Sequence, residues 1–338
     1  MGKRIFVACP AYSHSGGPEL LHQLCYSLRK QGFDSVMYYY EIKDTNESPV
    51  SKEYEKYSNP YVTRFDDDLN SLIVIPETGI WLLKKIKKAQ KIFWWLSVDN
   101  YYVSTARSFG QKLGLTRQQA YSIKERLHLI DCTRYIQDHR VIHLVQSEYA
   151  KEHLHKIGIL RENIFYLSDY LNEEFILHKR DISEKEKEDI VLYNPRKGLN
   201  FTKKIIKAMP DIKFVPLQGL SRDEMVDIIK RAKCYIDFGN HPGKDRIPRE
   251  AAILGCCIIT DTEGAAGNDI DVPIKKEYKF IRENENIINI TRKIRDCLSS
   301  YHGRINDFKQ YQEKICQEEK EFHSAVKTIF SKLCNLPL

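Results

Sequence analysis

The segment Asp237-Phe-Gly-Asn-His-Pro-Gly-Lys-Asp-Arg-Ile-Pro-Arg-Glu250 gathers His241, Lys244, Asp245, Arg246, Arg249 and Glu250 into one short stretch. An apolar run, Cys234–Phe238, leads into it, and Pro248 marks a helix start with Arg249 and Glu250 in the first turn. The helix ends at Gly255 and feeds a second apolar run, Cys256–Thr260. Folding alone poorly explains a loop so dense in His, Lys, Asp and Arg. A second basic turn is Leu192-Tyr-Asn-Pro-Arg-Lys-Gly198. Its Arg196 and Lys197 suit a diphosphate clamp, Arg as a fork and Lys as a point charge. The third is Pro10-Ala-Tyr-Ser-His-Ser-Gly-Gly-Pro18. Gly16 and Gly17, between a strand and a helix, let backbone approach a ligand closely, and the helix N-terminus offers N–H groups to an anion. His14 and Glu19 are the polar groups beside it. The spacing is not the dinucleotide pattern GxGxxG.

These turns need elements to hold them. Short apolar runs alternate with helical periodicity, the pattern of parallel sheets with helices on both faces. The strands expected are Ile5–Cys9, Ser35–Tyr40, Leu72–Pro76, Ile92–Leu96, Val141–Gln146 and Ile164–Leu167, then Ile190–Tyr193, Ile212–Leu217, Cys234–Phe238, Cys256–Thr260 and Tyr278–Phe280. Leu20, Leu21, Leu24, Cys25 and Leu28 fall on one helix face. Ser221 and Glu224 form a capping box. The polar stretch 181–189 reads as a linker, giving domains 1–180 and 190–305. Residues 45–60 read as a long loop inside the first domain. From Phe308 the apolar residues recur at helical steps, so 306–338 reads as amphipathic helices able to pack back on the N-terminal domain.

Composition narrows the class. The chain has 338 residues, 42% of them hydrophobic and 29% charged, enough for two ordinary cores. The net charge of +7 is spread along the chain, and no zinc-finger spacing, RNA-binding aromatic motif or long basic tract occurs. Nucleic acid therefore ranks low among partners. The nine Cys show no CxxC pair, as expected of buried thiols in a reducing, cytoplasmic compartment. No secretory leader and no membrane-spanning run is seen. Trp81–Lys91 places five Lys among large apolar residues. It reads either as an ordinary surface helix or as a basic amphipathic helix resting on the inner face of the cell membrane.

The second half resembles the donor domain of GT-B glycosyltransferases, in the broad family 4 group of sugar-nucleotide-dependent enzymes. The likeness rests on the basic turn at Arg196 and Lys197, the capped helix from Ser221, a strand ending in Asp-Phe-Gly, and Glu250-Ala-Ala-Ile-Leu-Gly255 running into Cys256–Thr260. The first half fits more loosely through Gly16-Gly17 and Val145-Gln-Ser-Glu-Tyr-Ala150. The resemblance implies two Rossmann-like α/β domains facing each other across a cleft. It implies that Glu250 hydrogen-bonds the nucleotide ribose, that Arg196 and Lys197 hold the donor diphosphate, and that Gly16 and Gly17 line phosphate and sugar. It implies no cofactor and no metal. The family pattern has a Glu eight positions before Glu250, where this chain has Pro242. The His241–Arg246 loop must then replace that contact, with Lys244, Asp245 and Arg246 as candidates.

The same resemblance places the acceptor on the first domain. Glu77, Trp95, Asn100 and Tyr101, at the ends of neighbouring strands, suit sugar faces and hydroxyls, although core tryptophans plus a turn explain the aromatic cluster equally well. His14 or Asp99 could serve as base, and Asp245 joins them as a catalytic candidate. The activity implied is transfer of a sugar from a nucleoside diphosphate to a glycan or lipid-linked hydroxyl in surface-polysaccharide synthesis, with retention. A sugar-nucleotide epimerase or hydrolase on the same scaffold, and a binding protein with a degenerate site, are the alternatives.

Overall fold

The runs richest in Val, Ile and Leu are buried on both faces, which suits central strands of parallel sheets. The computed structural model describes residues 3–43, 47–127, 135–179 and 186–335. The chain divides into two units, Met1–Asp169 with Lys320–Leu338, and Tyr170–Glu319.

In the first unit the strands are β1 (Arg4–Pro10), β2 (Ser35–Tyr40), β3 (Tyr61–Val62), β4 (Ser71–Pro76), β5 (Gln90–Trp95), β6 (Ile142–Val145) and β7 (Ile164–Tyr166). They form one parallel sheet in the order β3-β2-β1-β4-β5-β6-β7. The two-residue β3 is too short to leave a periodic signal in the sequence. The helix Gly16–Lys30 lays Leu20, Leu21, Leu24, Cys25 and Leu28 into the core.

The second unit holds β8 (Glu188–Tyr193), β9 (Lys213–Pro216), β10 (Ala232–Asp237), β11 (Cys257–Asp261) and β12 (Lys279–Phe280). Its parallel order is β12-β11-β10-β8-β9. Both orders are doubly wound, so each sheet has a switch point where successive helices leave for opposite faces. In the first sheet it lies between β1 and β4, in the second between β8 and β10.

Three sequence expectations are corrected. The chain changes unit at Asp169–Tyr170 rather than in the polar stretch 181–189, of which 181–185 lie outside the described residues and Glu188 and Asp189 already belong to β8. Trp81–Lys91 is not a continuous helix. Only Leu82–Lys85 is helical, and Gln90 opens β5. The turn between them is fixed by the Asp67 carboxylate, which accepts from the backbone N–H groups of Lys87, Lys88 and Ala89 at 2.7–2.9 Å. No membrane-facing amphipathic helix exists there. Residues 45–60 are not wholly loop either, because Lys52–Tyr57 forms a 3-10 helix; 45 and 46 lie outside the described residues. Among the described residues no helix is long and apolar enough to cross a membrane.

The tail is one helix, Lys309–Asn335, and its apolar stripe is shared. Tyr311 and Ile315 join the core of the second unit. Further along, Phe322 stacks on Trp94 at 6.5 Å, and His323 Nδ1 lies 2.7 Å from Ser27 Oγ in the first unit. The eight described cysteines are free thiols, six of them buried.

Lys187 is a buried cation with a structural task. Its ammonium donates to the carbonyls of Ile229, Ala232 and Leu254 at 3.3, 2.8 and 2.8 Å. These carbonyls lie at the ends of the helices Arg222–Arg231 and Arg246–Ile253, where acceptors have no intrahelical donor. Lys187→Met is expected to leave the Ile229 and Ala232 carbonyls with only the weak Cys256 thiol donor and the Leu254 carbonyl without the ammonium, and to lower stability by about 1–3 kcal/mol, measured by urea unfolding of the full chain.

Candidate functional site

In the second unit the switch point is crowded with charge. The turn after β8 delivers Lys197, and Gly198 then starts the helix Leu199–Ala208. Gly198 has φ +63°, and a Cβ there would fall 2.0 Å from the Phe238 carbonyl oxygen. Only glycine lets the β8 and β10 loops approach so closely. Across from it the β10 loop carries His241 and Asp245. Its other side is fixed by the turn after β11, where the Ala265 N–H donates to the His241 carbonyl at 2.8 Å. Gly264, at φ +58°, would put a Cβ 2.1 Å from that same oxygen.

The side chains form a chain of charges. Lys197 Nζ bonds the Asp245 carboxylate, lies 3.4 Å from Asp237 Oδ2 and donates to the Asn240 carbonyl at 3.0 Å. His241, 1% exposed, meets Asp245 Oδ2 through Nδ1 at 2.7 Å. Its Nε2 lies 3.6 Å from Asp261 Oδ1 and 3.9 Å from Asp237 Oδ1 and has no hydrogen-bond partner. Asp237 accepts from Tyr235 Oη at 2.8 Å and from the Gly239 N–H at 3.2 Å. Burial alone would lower the His241 pKa, but the bond to Asp245 and the charge of Asp237 raise it above the ordinary value. Burial would raise Asp245, yet His241 and Lys197 hold it below the usual carboxylate range. Lys197 is likewise raised: burial opposes its charge and Asp237 and Asp245 outweigh that. Burial pushes Asp261 up to about 6. Arg282, 3.8 Å from Asp261 Oδ2, donates to the Phe238 carbonyl at 3.1 Å. Asp237, His241 and Asp245 bring ligand-type atoms within 4.8 Å of one another, a spacing a metal could use. Here the Lys197 ammonium lies against both carboxylates and supplies the positive charge from the protein itself.

The helix after this loop is Arg246–Ile253 with Asp245 at its N-cap, two residues before the start read from Pro248. The Asp245 side chain makes no cap hydrogen bond, because His241 and Lys197 use it. Lys244 and Arg249 are turned away from the cluster. Lys244 Nζ and Arg249 Nη1 each lie 2.7 Å from the Glu318 carboxylate, and all three side chains are buried. Arg249 also donates to the Lys244 and Asp245 carbonyls at 3.2 Å. The expectation that Lys244 contacts a donor is therefore corrected: its charge is spent on Glu318 and anchors the loop. Arg246 is half-buried, Glu250 is 9% exposed on the same helix, and Arg196 is exposed on the turn.

The switch point of the first unit carries a quieter site. Gly16 and Gly17 open the helix after β1, and His14 is exposed on the turn. The turn is held by Tyr54, whose hydroxyl accepts from the Ser15 N–H and donates to the Ser15 carbonyl, both at 2.8 Å. Glu19 is buried and accepts from Tyr57 at 3.2 Å. Glu77, directly after β4, is 2% exposed. It accepts from the Leu96 N–H at 3.2 Å and from the Asn100 side chain. Burial pushes its pKa up to about 7, which those bonds oppose. Asp99, the neighbour of Asn100 in sequence, is half-buried on the helix Val98–Thr105. Trp95 and Tyr101 do not belong to a site. Both are fully buried, their rings 4.7 Å apart, and Trp95 Nε1 donates to His143 at 3.1 Å. Their ring faces are core, and a sugar cannot stack on them.

The sequence reading missed Asp261, Arg282, Glu318 and Tyr54. Asp261 ends a strand on the same sheet edge as Asp237, which is the signal that was available. Glu318 sits between Ile315 and Phe322 on the buried stripe of the tail, where a charged residue calls for a partner.

Neither a protein-family model nor a curated protein matches the sequence. Solved structures do. Sucrose-phosphate synthase from Thermosynechococcus elongatus superposes with a TM-score of 0.64 at 12% identity, covering 98% of this chain and 99% of that one. HepE from Anabaena in complex with UDP-glucose gives 0.60 at 9%, covering 98% and 100%. A glycosyltransferase from Rickettsia africae gives 0.56 at 14%, covering 98% and 97%. These likenesses establish the fold, a pair of Rossmann-like units of the GT-B type.

Two outcomes follow from the geometry. Glu318→Ala strands two buried cations and is expected to cost about 3–5 kcal/mol in denaturant unfolding. Glu77 binds its proton more tightly folded than free, so it costs stability progressively as pH rises from 4.5 through about 7. The full cost is about 3 kcal/mol. Glu77→Gln should therefore flatten that slope and be more stable than the parent at pH 8, with little difference at pH 4.

Proposed function

We propose that this chain is a glycosyltransferase that takes a sugar from a nucleoside diphosphate donor. The second unit binds the donor and the first unit binds a glycan or lipid-linked hydroxyl acceptor. The observation that carries this reading is Lys197 at the β8–β10 switch point, where open α/β sheets take their ligands. Beside it the helix Arg246–Ile253 begins one residue after Asp245, so its N-terminal N–H groups and the cation serve the same anion. The structurally similar HepE was solved with UDP-glucose, which supports a donor of this class.

Sugar transfer breaks the anomeric bond while negative charge gathers on the departing diphosphate. Lys197, with Arg196 exposed on the same turn, would meet that charge in a preorganised setting. Glu250 on the helix would take the ribose hydroxyls. In the first unit Glu77 and Asn100 would orient the acceptor hydroxyl, near the N–H groups of Gly16 and Gly17. The acceptor proton would pass to a leaving phosphate oxygen, with His14 or Asp99 as the protein's own bases. The product would be a surface polysaccharide, formed with retention.

A thermal melt with UDP, GDP and ADP at millimolar concentration tests the donor class. Binding near saturation should raise the midpoint by about 2–5 °C for one of the three. If none of them moves it, this reading fails.

A further inference from the structure

Lys197, the cation that the proposed function assigns to the diphosphate, already has a carboxylate partner. Its ammonium is bonded to Asp245 and also touches Asp237 and the Asn240 carbonyl. The two carboxylates are not equivalent. Asp237 is 2% exposed and has its own donors in Tyr235 Oη and the Gly239 N–H. Asp245 has a side chain 27% exposed, on a loop, with only its backbone serving the helix it precedes. His241 Nδ1 meets, at 2.7 Å, the same Oδ2 that Lys197 bonds, so the carboxylate keeps a partner when Lys197 leaves. Close to Lys197, Gly239 leaves room for the lysine stem, since a Cβ there would fall 2.4 Å from Lys197 Cγ. The lysine thus lies in a slot with a dry wall, Asp237, and a wet one, Asp245.

We propose that Asp245 is a latch on the diphosphate site: it holds Lys197 in the empty protein and gives it up to the donor's diphosphate. This rests on the reading of the second unit as a nucleoside diphosphate site, and it assigns Asp245 a part in gating the site rather than in bond breaking. An anion enters only if it competes with a carboxylate for the same ammonium. A diphosphate, with its greater charge, does so better than a monophosphate, and the exchange leaves Asp245 compensated by His241. Every anion that needs Lys197 bears the same cost of opening the latch, so weakly held anions stay off the site while a diphosphate still binds.

The test is a double-mutant cycle read by isothermal titration of UDP, GDP and ADP and of the matching monophosphates. Asparagine remains a good N-cap and still accepts a hydrogen bond from His241, so Asp245→Asn should fold, and a thermal melt verifies this. Asp245→Asn is expected to tighten binding of the preferred diphosphate about three- to tenfold. It should tighten the matching monophosphate by no larger a factor, because both ligands are released from the same fixed cost. Lys197→Met weakens binding, and in that background Asp245→Asn should give no gain. Weaker or unchanged binding in Asp245→Asn, the result for a carboxylate that touches the donor or holds a metal, overturns the latch. So does an equal gain with Met at 197, which would mark simple removal of a negative charge. If the parent protein binds no diphosphate at all, the proposed function fails instead.

Discussion

Two neighbouring parallel strands that send their helices to opposite faces cannot close the space above their C-terminal ends. The loops diverge there, and whatever polar groups the chain places on them meet solvent in a concave setting. This single topological constraint occurs once in each sheet, between β1 and β4 and between β8 and β10. The candidate site residues stand beside these two points. Glu77 and the Gly16–Gly17 turn belong to the first, and Lys197, Asp237, His241 and Asp245 to the second.

The second crevice is built by close backbone approach before any charge is considered. Gly198 lets the β8 turn touch the carbonyl of Phe238, and Gly264 lets the β11 turn touch the carbonyl of His241. With three loops drawn together, their side chains must share charge. Three aspartates, a lysine and a histidine settle into alternation, with Asp237 and Asp245 flanking Lys197, and His241 between Asp245 and Asp261. The loop does not hold itself in place. Glu318, from the tail, draws Lys244 and Arg249 beneath it, which fixes where Asp245 can reach.

Most of the sheet was legible because buried parallel strands must be apolar throughout, and runs such as Leu72–Pro76 and Cys256–Thr260 have few other uses. The capping box at Ser221 was legible because both of its bonds are local in sequence. The role of Lys244 was not, since its partner lies more than seventy residues away on a helix whose stripe reads as plain core. Trp95 and Tyr101 were misread because an aromatic strand end looks the same whether its rings face a ligand or each other. Trp81–Lys91 has helical composition, but Asp67 captures three consecutive N–H groups and stops the helix. Lys197, His241 and Asp245 were all singled out from the sequence. Their pairing was not, because charge alternation is a property of three loops together.

The helix Lys309–Asn335 contributes Tyr311 and Ile315 to one unit and Phe322 and Phe330 to the other. During synthesis the first unit therefore emerges with a gap. Trp94, at the centre of its sheet, waits for Phe322, and Ser27 waits for His323, while the whole of the second unit is made in between. The ribosome delivers the first unit's closing helical segment only after the whole of the second unit, so a core begun early is completed late.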